Sequence, residues 1–166
     1  MLTQKEKYLL LAEDHHLAVY DSLPSDFPLN GLYIEDDHRR IILMKPNLPD
    51  RIYTPVLVEE IGHFVASYGI VVELDGVTEI KSENKAHEWA IEMLLPICKF
   101  AFASCLFQCS TVAEYADYFS LDEGFVAEAI RYHKHKGYWM ESFEPLFRML
   151  VKPNYRELLR KHKLAM

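Results

Sequence analysis

The chain has 166 residues, 50% hydrophobic and 26% charged, with 18 Lys+Arg against 25 Asp+Glu. That length makes one compact domain or a domain with an appendage, and the composition argues against wholesale disorder. No apolar run reaches the roughly 20 residues of a membrane-spanning helix, and a formal charge of −7 argues against a nucleic-acid surface spread over the whole molecule.

Met1 to Asp14 mixes Lys5 and Lys7 with Glu6, Glu13 and Asp14, and its apolar run Tyr8–Ala12 is too short for a signal sequence. A cytoplasmic protein without membrane contact is expected. Leu2 to Leu17 reads as an amphipathic helix with Leu9, Leu10 and Leu11 on its apolar side. A Pro-containing loop, Asp21 to Asn30, follows. Gly31–Ile34 and Ile41–Met44 read as the two strands of a β-hairpin, with Glu35-Asp36-Asp37-His38 as its turn.

Thr54 and Pro55 suit the N-cap and first position of a helix. Gly69 suits its end, so the pattern predicts a helix from Pro55 to Tyr68. Ile70 to Leu74 can form a short strand and Asp75-Gly76 a turn. Ser82 then caps a second helix, with Ala86, Trp89, Ala90, Met93 and Leu94 as its apolar stripe and Pro96 at its end. Ile97 to Cys109 is apolar nearly all round and reads as a buried helix. Thr111/Glu114 and Ser120/Glu123 form capping-box patterns for two short helices, the second ended by Gly137. Residues 138–166 carry a basic helix near Tyr155 to Lys163.

Cys98, Cys105 and Cys109 are odd in number and lie in one apolar stretch, so they form no disulfide framework. Cys105 and Cys109 share a helix face, which fits buried thiols and leaves a thiol metal pair open.

The chemistry concentrates in Val58-Glu59-Glu60-Ile61-Gly62-His63. Glu59 and His63 are one turn apart on one helix face. That is the spacing of the HExxH zinc helix, with Glu59 standing where the first histidine would be; a carboxylate is a legitimate zinc ligand. Glu83 and His87 are likewise one turn apart on the next helix, and two antiparallel helices could bring the four together. Taken singly, Glu59 and Glu60 also fit a solvated face, and His63 a satisfied core histidine.

Two motifs in order carry a resemblance. Val58-Glu59-Glu60-Ile61-Gly62-His63, followed by Glu83, Ala86, Trp89, Ala90, Leu94, Leu95 and Pro96, resembles the ImmA/IrrE family of zinc metallopeptidases, which has an HE(L/I)GH helix and then an E-x-x-A-N-x-F-A-x-x-L-L-M-P helix. The EEIGH form resembles phage and mobile-element members, and Gly31–Ile34 and the helix pair Val112–Tyr118 and Leu121–His135 resemble further elements of them. The resemblance covers about residues 1–137. It implies a zincin-like α+β domain: a small antiparallel sheet, two metal-site helices and a helical C-terminal half, with 138–166 as a basic extension.

The resemblance also implies Zn2+ held by Glu59, His63 and Glu83, with Glu60 as general base. His87 stands where the family has Asn, as an extra ligand or a hydrogen-bond partner of Glu83. The implied activity is hydrolysis of a peptide bond in a helix-turn-helix repressor of a prophage or mobile element. One histidine and two carboxylates neutralise zinc, whereas two histidines and one carboxylate leave a charge of +1. The more neutral site acidifies water less, which predicts a weak or inactive hydrolase. The alternative is therefore a zincin-like protein that binds a repressor or another phage protein without cutting it. Tyr53, Tyr68 and His38 are oxyanion donors by type only.

Direct DNA binding by Val112 to His135, which has helix-turn-helix spacing, is disfavoured. Residues 110–137 hold Glu114, Asp117, Asp122, Glu123 and Glu128 against Arg131, Lys134 and Lys136. The charge is also uneven along the chain: 12 basic and 22 acidic residues in 1–137, 6 basic and 3 acidic in 138–166.

Overall fold

A computed structural model describes residues 2–36, 39–67 and 76–137. The hairpin tip at Asp37-His38, the expected helix stop at Gly69, the expected strand Ile70–Leu74 and the basic extension 138–166 lie outside them. The chain runs α1 (Gln4–Asp14), β1 (Ala18–Asp21), β2 (Gly31–Glu35), β3 (Arg40–Met44), α2 (Asp50–Ser67), α3 (Gly76–Leu94), α4 (Ile97–Phe107), α5 (Val112–Phe119) and α6 (Glu123–His135). Among the described residues this is an α+β arrangement of six helices and one small sheet.

Thr3 starts α1 with a capping box. Its hydroxyl accepts from the Glu6 amide at 3.1 Å, and the Glu6 carboxylate accepts from the Thr3 amide at 2.7 Å. The hairpin forms as expected: β2 and β3 pair antiparallel, from Gly31 opposite Met44 to Glu35 opposite Arg40. The sheet as a whole is not antiparallel. β1 lies on the other side of β3 and runs parallel to it, giving the order β1-β3-β2. β1 was missed because it is four residues long and reaches its partner across a long connection. No local turn pattern announces such a pairing.

α2 begins at Asp50, four residues before the expected Thr54 cap, and carries Pro55 inside it. Burial decides the outcome. Extending the helix brings Tyr53 to 3% exposure, with its hydroxyl donating to Asp21 at 2.9 Å. A buried aromatic side chain contributes more than the ~1 kcal/mol of a cap. Pro55 has no amide to give the Arg51 carbonyl, and that carbonyl accepts instead from the Asp122 amide at 3.1 Å. The Arg51 guanidinium reaches Asp117 at 2.9 Å, so the start of α2 is fastened to the α5–α6 turn.

α3 likewise starts at Gly76, so Ser82 lies within the helix and is not its cap; Val77 to Lys81 contains neither Gly nor Pro to stop the helix. Pro96 separates α3 from α4 as expected. α4 is only partly buried: Phe100, Ala101 and Ala103 face the core, while Cys98 is exposed and Phe107 lies against Tyr118 on the surface. Of the Cys105–Cys109 pair, the Cys109 side chain is described, and it is buried.

The Thr111/Glu114 box forms. The Ser120/Glu123 box does not. Ser120 closes α5 in the left-handed conformation at φ 54, and Asp122 caps α6, accepting from the Gly124 and Phe125 amides. α2 lies between two apolar clusters. Leu57, Ile61 and Phe64 pack with Ile42, Met44, Ala12 and Leu17 on the sheet side. Val58 joins Ala90, Leu94, Phe100, Tyr115 and Val126 on the helical side. Among the described residues no helix is long and apolar enough to cross a membrane.

A carboxylate–imidazole seam between two helices

The approach of α2 to α3 is set by Gly62. A Cβ there would lie 2.7 Å from the Ala86 carbonyl oxygen and 3.1 Å from its Cα, so only glycine lets the backbones meet this closely. The helices run antiparallel. His63, late in α2, faces Glu83, early in α3, with Nε2 and Oε2 3.4 Å apart. Glu59, a turn earlier, faces His87, a turn later, with Oε1 and Nδ1 3.2 Å apart. All four residues singled out for metal binding therefore lie on one seam. His87 does not pair with Glu83. Its second nitrogen, Nε2, is 3.2 Å from Oε2 of Glu128 on α6, and the ring packs edge-on against Phe125.

Glu60 points elsewhere, because adjacent helical residues are about 100° apart around the axis. It is 9% exposed and packs against β2. The Lys45 amide donates to the Asn30 carbonyl. In an antiparallel pair the hydrogen-bonded positions alternate, so in β2 the main chain of Gly31, Tyr33 and Glu35 turns away from β3. The outward Tyr33 amide donates to the Glu60 carboxylate. Gly31 makes the room: a Cβ there would fall 2.8 Å from Glu60 Oε1 and 2.6 Å from Val56 Cγ1.

Burial raises the Glu60 carboxyl from its usual 4.5 to about 7; the Tyr33 amide opposes the rise, and the charges of Glu59 and Glu83 add to it. The His87 imidazole is also held above its ordinary value. Its hydrogen bond to Glu59 is the main cause, opposed by burial and reinforced by the charges of Glu59, Glu128 and Glu88.

The donor set suits a zinc ion in type, since imidazole and carboxylate are both ordinary zinc ligands. As the side chains stand, no group of three His, Cys, Asp or Glu among the described residues converges in a metal-holding arrangement; the carboxylates and imidazoles bind one another across the seam. Tyr53 is removed as an oxyanion donor, since its buried hydroxyl is committed to Asp21. Tyr68 and His38 lie outside the described residues.

Sequence reading missed Glu128, Gly31 and Tyr33. Glu128 sits in no motif, and only the packing of α6 against α3 brings it to His87. A cavity of about 890 Å³ lies elsewhere, lined by Lys5, Lys99, Cys98, Phe102 and Tyr118 among others, and shares no residue with the seam. The seam, and not the cavity, is where carboxylate and imidazole side chains from separate helices face one another.

The fold and site thus define an α+β protein with a four-residue carboxylate–imidazole seam beside a buried carboxyl. The chain matches no family model, no curated protein and no solved structure.

Proposed function

We propose that the protein is a zinc metallopeptidase of ImmA/IrrE type, with α2 and α3 as its zincin-like metal helices, acting on a helix-turn-helix repressor of a prophage or mobile element. The observation that carries this reading is the antiparallel seam. Two motifs that are separate in sequence face each other residue for residue, Glu59 across from His87 and His63 across from Glu83. Glu59, His63 and Glu83 would hold the metal. When bound there, zinc supplies Lewis acidity toward the peptide carbonyl and toward water.

Glu60 would be the general base. Near pH 7 a carboxyl held at about 7 is present in both protonation states. It can take a proton from the attacking water and pass it to the departing amine, while the peptide C–N bond breaks and the carbonyl carbon gains the hydroxyl. The Tyr33 amide and the gap at Gly31 fix where that carboxylate sits. Incubation with a helix-turn-helix repressor as substrate tests the reading. Cleavage should stop with chelator, return with zinc and be lost in Glu60→Gln. Unchanged cleavage by Glu60→Gln would refute the assignment.

A second reading is a scaffold that binds the repressor, or another phage protein, without cutting it. The observation that favours it is the Glu59–His87–Glu128 chain, in which Glu59 is already engaged by an imidazole. Tight repressor binding with no cleavage under any metal condition would select it.

A further inference from the structure

We propose that the cavity between α1, the start of α2, the start of α4 and the end of α5 binds a small carboxylate with an apolar chain, the carboxylate held by Lys7 and Lys99 and the chain lying on Phe102, Tyr118 and Phe119. The cavity shares no residue with the seam, so the proposal does not depend on a metal there. Its volume of about 890 Å³ is that of a small-molecule site.

The charge of the cavity wall is the reverse of the chain's. The protein has a formal charge of −7, yet three lysines and a single aspartate, Asp50, line this space. Asp50 is already engaged: Lys5 pairs with it at 3.1 Å and also lies over the Tyr53 ring, 3.9 Å from its centre. Lys7 and Lys99 have no carboxylate partner among the described residues. The Lys99 ammonium donates to the Leu94 carbonyl at 2.8 Å, which gives it a hydrogen bond but no countercharge. Burial holds this ammonium below its ordinary value; Cys98 opposes the fall and the charge of Lys7 adds to it. An anion bound to both lysines would replace that repulsion with two charge-assisted hydrogen bonds. No side chain caps α4, and its first turn, which brings Cys98 and Lys99 to the wall, holds no acid. The helix dipole therefore adds to the attraction for an anion.

The aromatic part of the wall selects the body of the ligand. Phe119 is buried, and Tyr118 meets it edge-on with ring centres 5.0 Å apart. A hydrated inorganic anion would leave this surface wet, whereas an alkyl chain covers it. A neutral or cationic ligand would leave Lys7 and Lys99 uncompensated. A carboxylate on an alkyl chain meets both demands.

Calorimetric titration of the full chain, with every probe below its aggregation concentration, is the test. Octanoate should bind at one equivalent. Octanol should bind about 10–100-fold more weakly, the contribution of a hydrogen bond to a charged group. Acetate and octyltrimethylammonium should show no saturable binding. From butanoate to octanoate, affinity should rise by up to about fourfold per methylene. Lys99→Met, which keeps a long apolar stem, should weaken octanoate about 10–100-fold and leave octanol unchanged. Lys85→Met, exposed on α3, should behave as wild type. Nuclear Overhauser contacts from the octanoate chain should reach the rings of Phe102 and Tyr118. Failure to bind octanoate, equal binding of octyltrimethylammonium, affinity independent of chain length, or chain contacts only at other residues would each overturn the proposal. So would wild-type octanoate affinity in Lys99→Met. If that variant does not fold, the probe series and the chain contacts in the wild-type protein decide.

Discussion

Glu60→Gln should make the metal-free protein more stable while removing its activity. The carboxyl is 9% exposed and titrates at about 7 in the folded chain, against 4.5 for an ordinary one. The folded state therefore binds this proton more tightly than the unfolded state does. Between pH 4.5 and 7 the folded protein carries the extra proton, so stability falls as pH rises through that window. At about 1.4 kcal/mol per pH unit, the loss attributable to this group is about 3 kcal/mol once the pH is above 7. Glutamine nearly preserves the shape and carries no charge, so it can occupy the same cavity without that loss. Urea unfolding in chelator at pH 4.5, 6 and 8 measures it. Wild type and variant should be close at pH 4.5, and the variant should be ahead by about 2–3 kcal/mol at pH 8. On the proposed reading, cleavage of a repressor should fall by about 10²–10⁴-fold, the usual contribution of a general base. A variant that loses stability at pH 8, or keeps the wild-type pH dependence, would show that Glu60 is not a desolvated carboxyl.

Gly62→Ala should force α2 and α3 apart, since its Cβ would meet the Ala86 carbonyl at 2.7 Å; the expected cost is about 1–3 kcal/mol in urea unfolding, with zinc uptake weakened in parallel. Thr111→Ala should cost about 1 kcal/mol by removing the α5 cap, with zinc uptake unchanged. Glu114 is held at about 2, chiefly by the Ser110 and Thr111 amides. Its folded-state pKa is depressed, so its contribution is present above pH 4.5 and lost as pH falls toward 2; acid unfolding of Glu114→Gln should lack that component. For His87, whose folded pKa is raised, stabilisation is full below 6.5 and lost as pH rises through the folded value. His87→Asn should flatten that part of the urea-stability profile.

The elements legible in the sequence were those with local signals. Two short apolar runs around a polar tip gave the β2–β3 hairpin, the Thr111/Glu114 pair gave the start of α5, and Pro96 gave the break between α3 and α4. The misreadings arise where a local signal is overridden. Thr54-Pro55 looks like a helix start, but long-range contacts override it: Tyr53 is buried beside Asp21, and the Arg51 carbonyl finds the Asp122 amide; Ser82 looks like one too, but nothing in Val77 to Lys81 stops the helix. β1 depends wholly on a partner far along the chain. The seam shows the same division. One-turn spacing placed Glu59 with His63 and Glu83 with His87, and an antiparallel return was enough to face the pairs. That His87 would turn to Glu128, away from Glu83, depended on the docking of α6.

The acidity of the chain takes on structure at this seam. Glu59 and Glu128 lie against His87, and Glu83 against His63, so three of the clustered carboxylates have imidazoles as neighbours. Glu60 is treated differently. It is buried, its hydrogen bond comes from a backbone amide, and burial raises its carboxyl to about 7. Environment, and not residue type, gives two adjacent glutamates unlike proton affinities, as it does where paired carboxyls divide acid–base work from charge stabilisation. Glu59, half-exposed and facing imidazole, suits a charged ligand. Glu60, desolvated against β2, suits a proton carrier. On the proposed reading, a glutamate at 59 in place of the histidine of the family it resembles leaves the surroundings of Glu60 intact, because Gly31, Val56 and Tyr33 shape the Glu60 cavity and Glu59 contributes only a secondary repulsion there. If that reading holds, the exchange should weaken the hold on the metal more than it disturbs the base, and zinc affinity, measured separately from the pH profile of cleavage, is where its cost should appear.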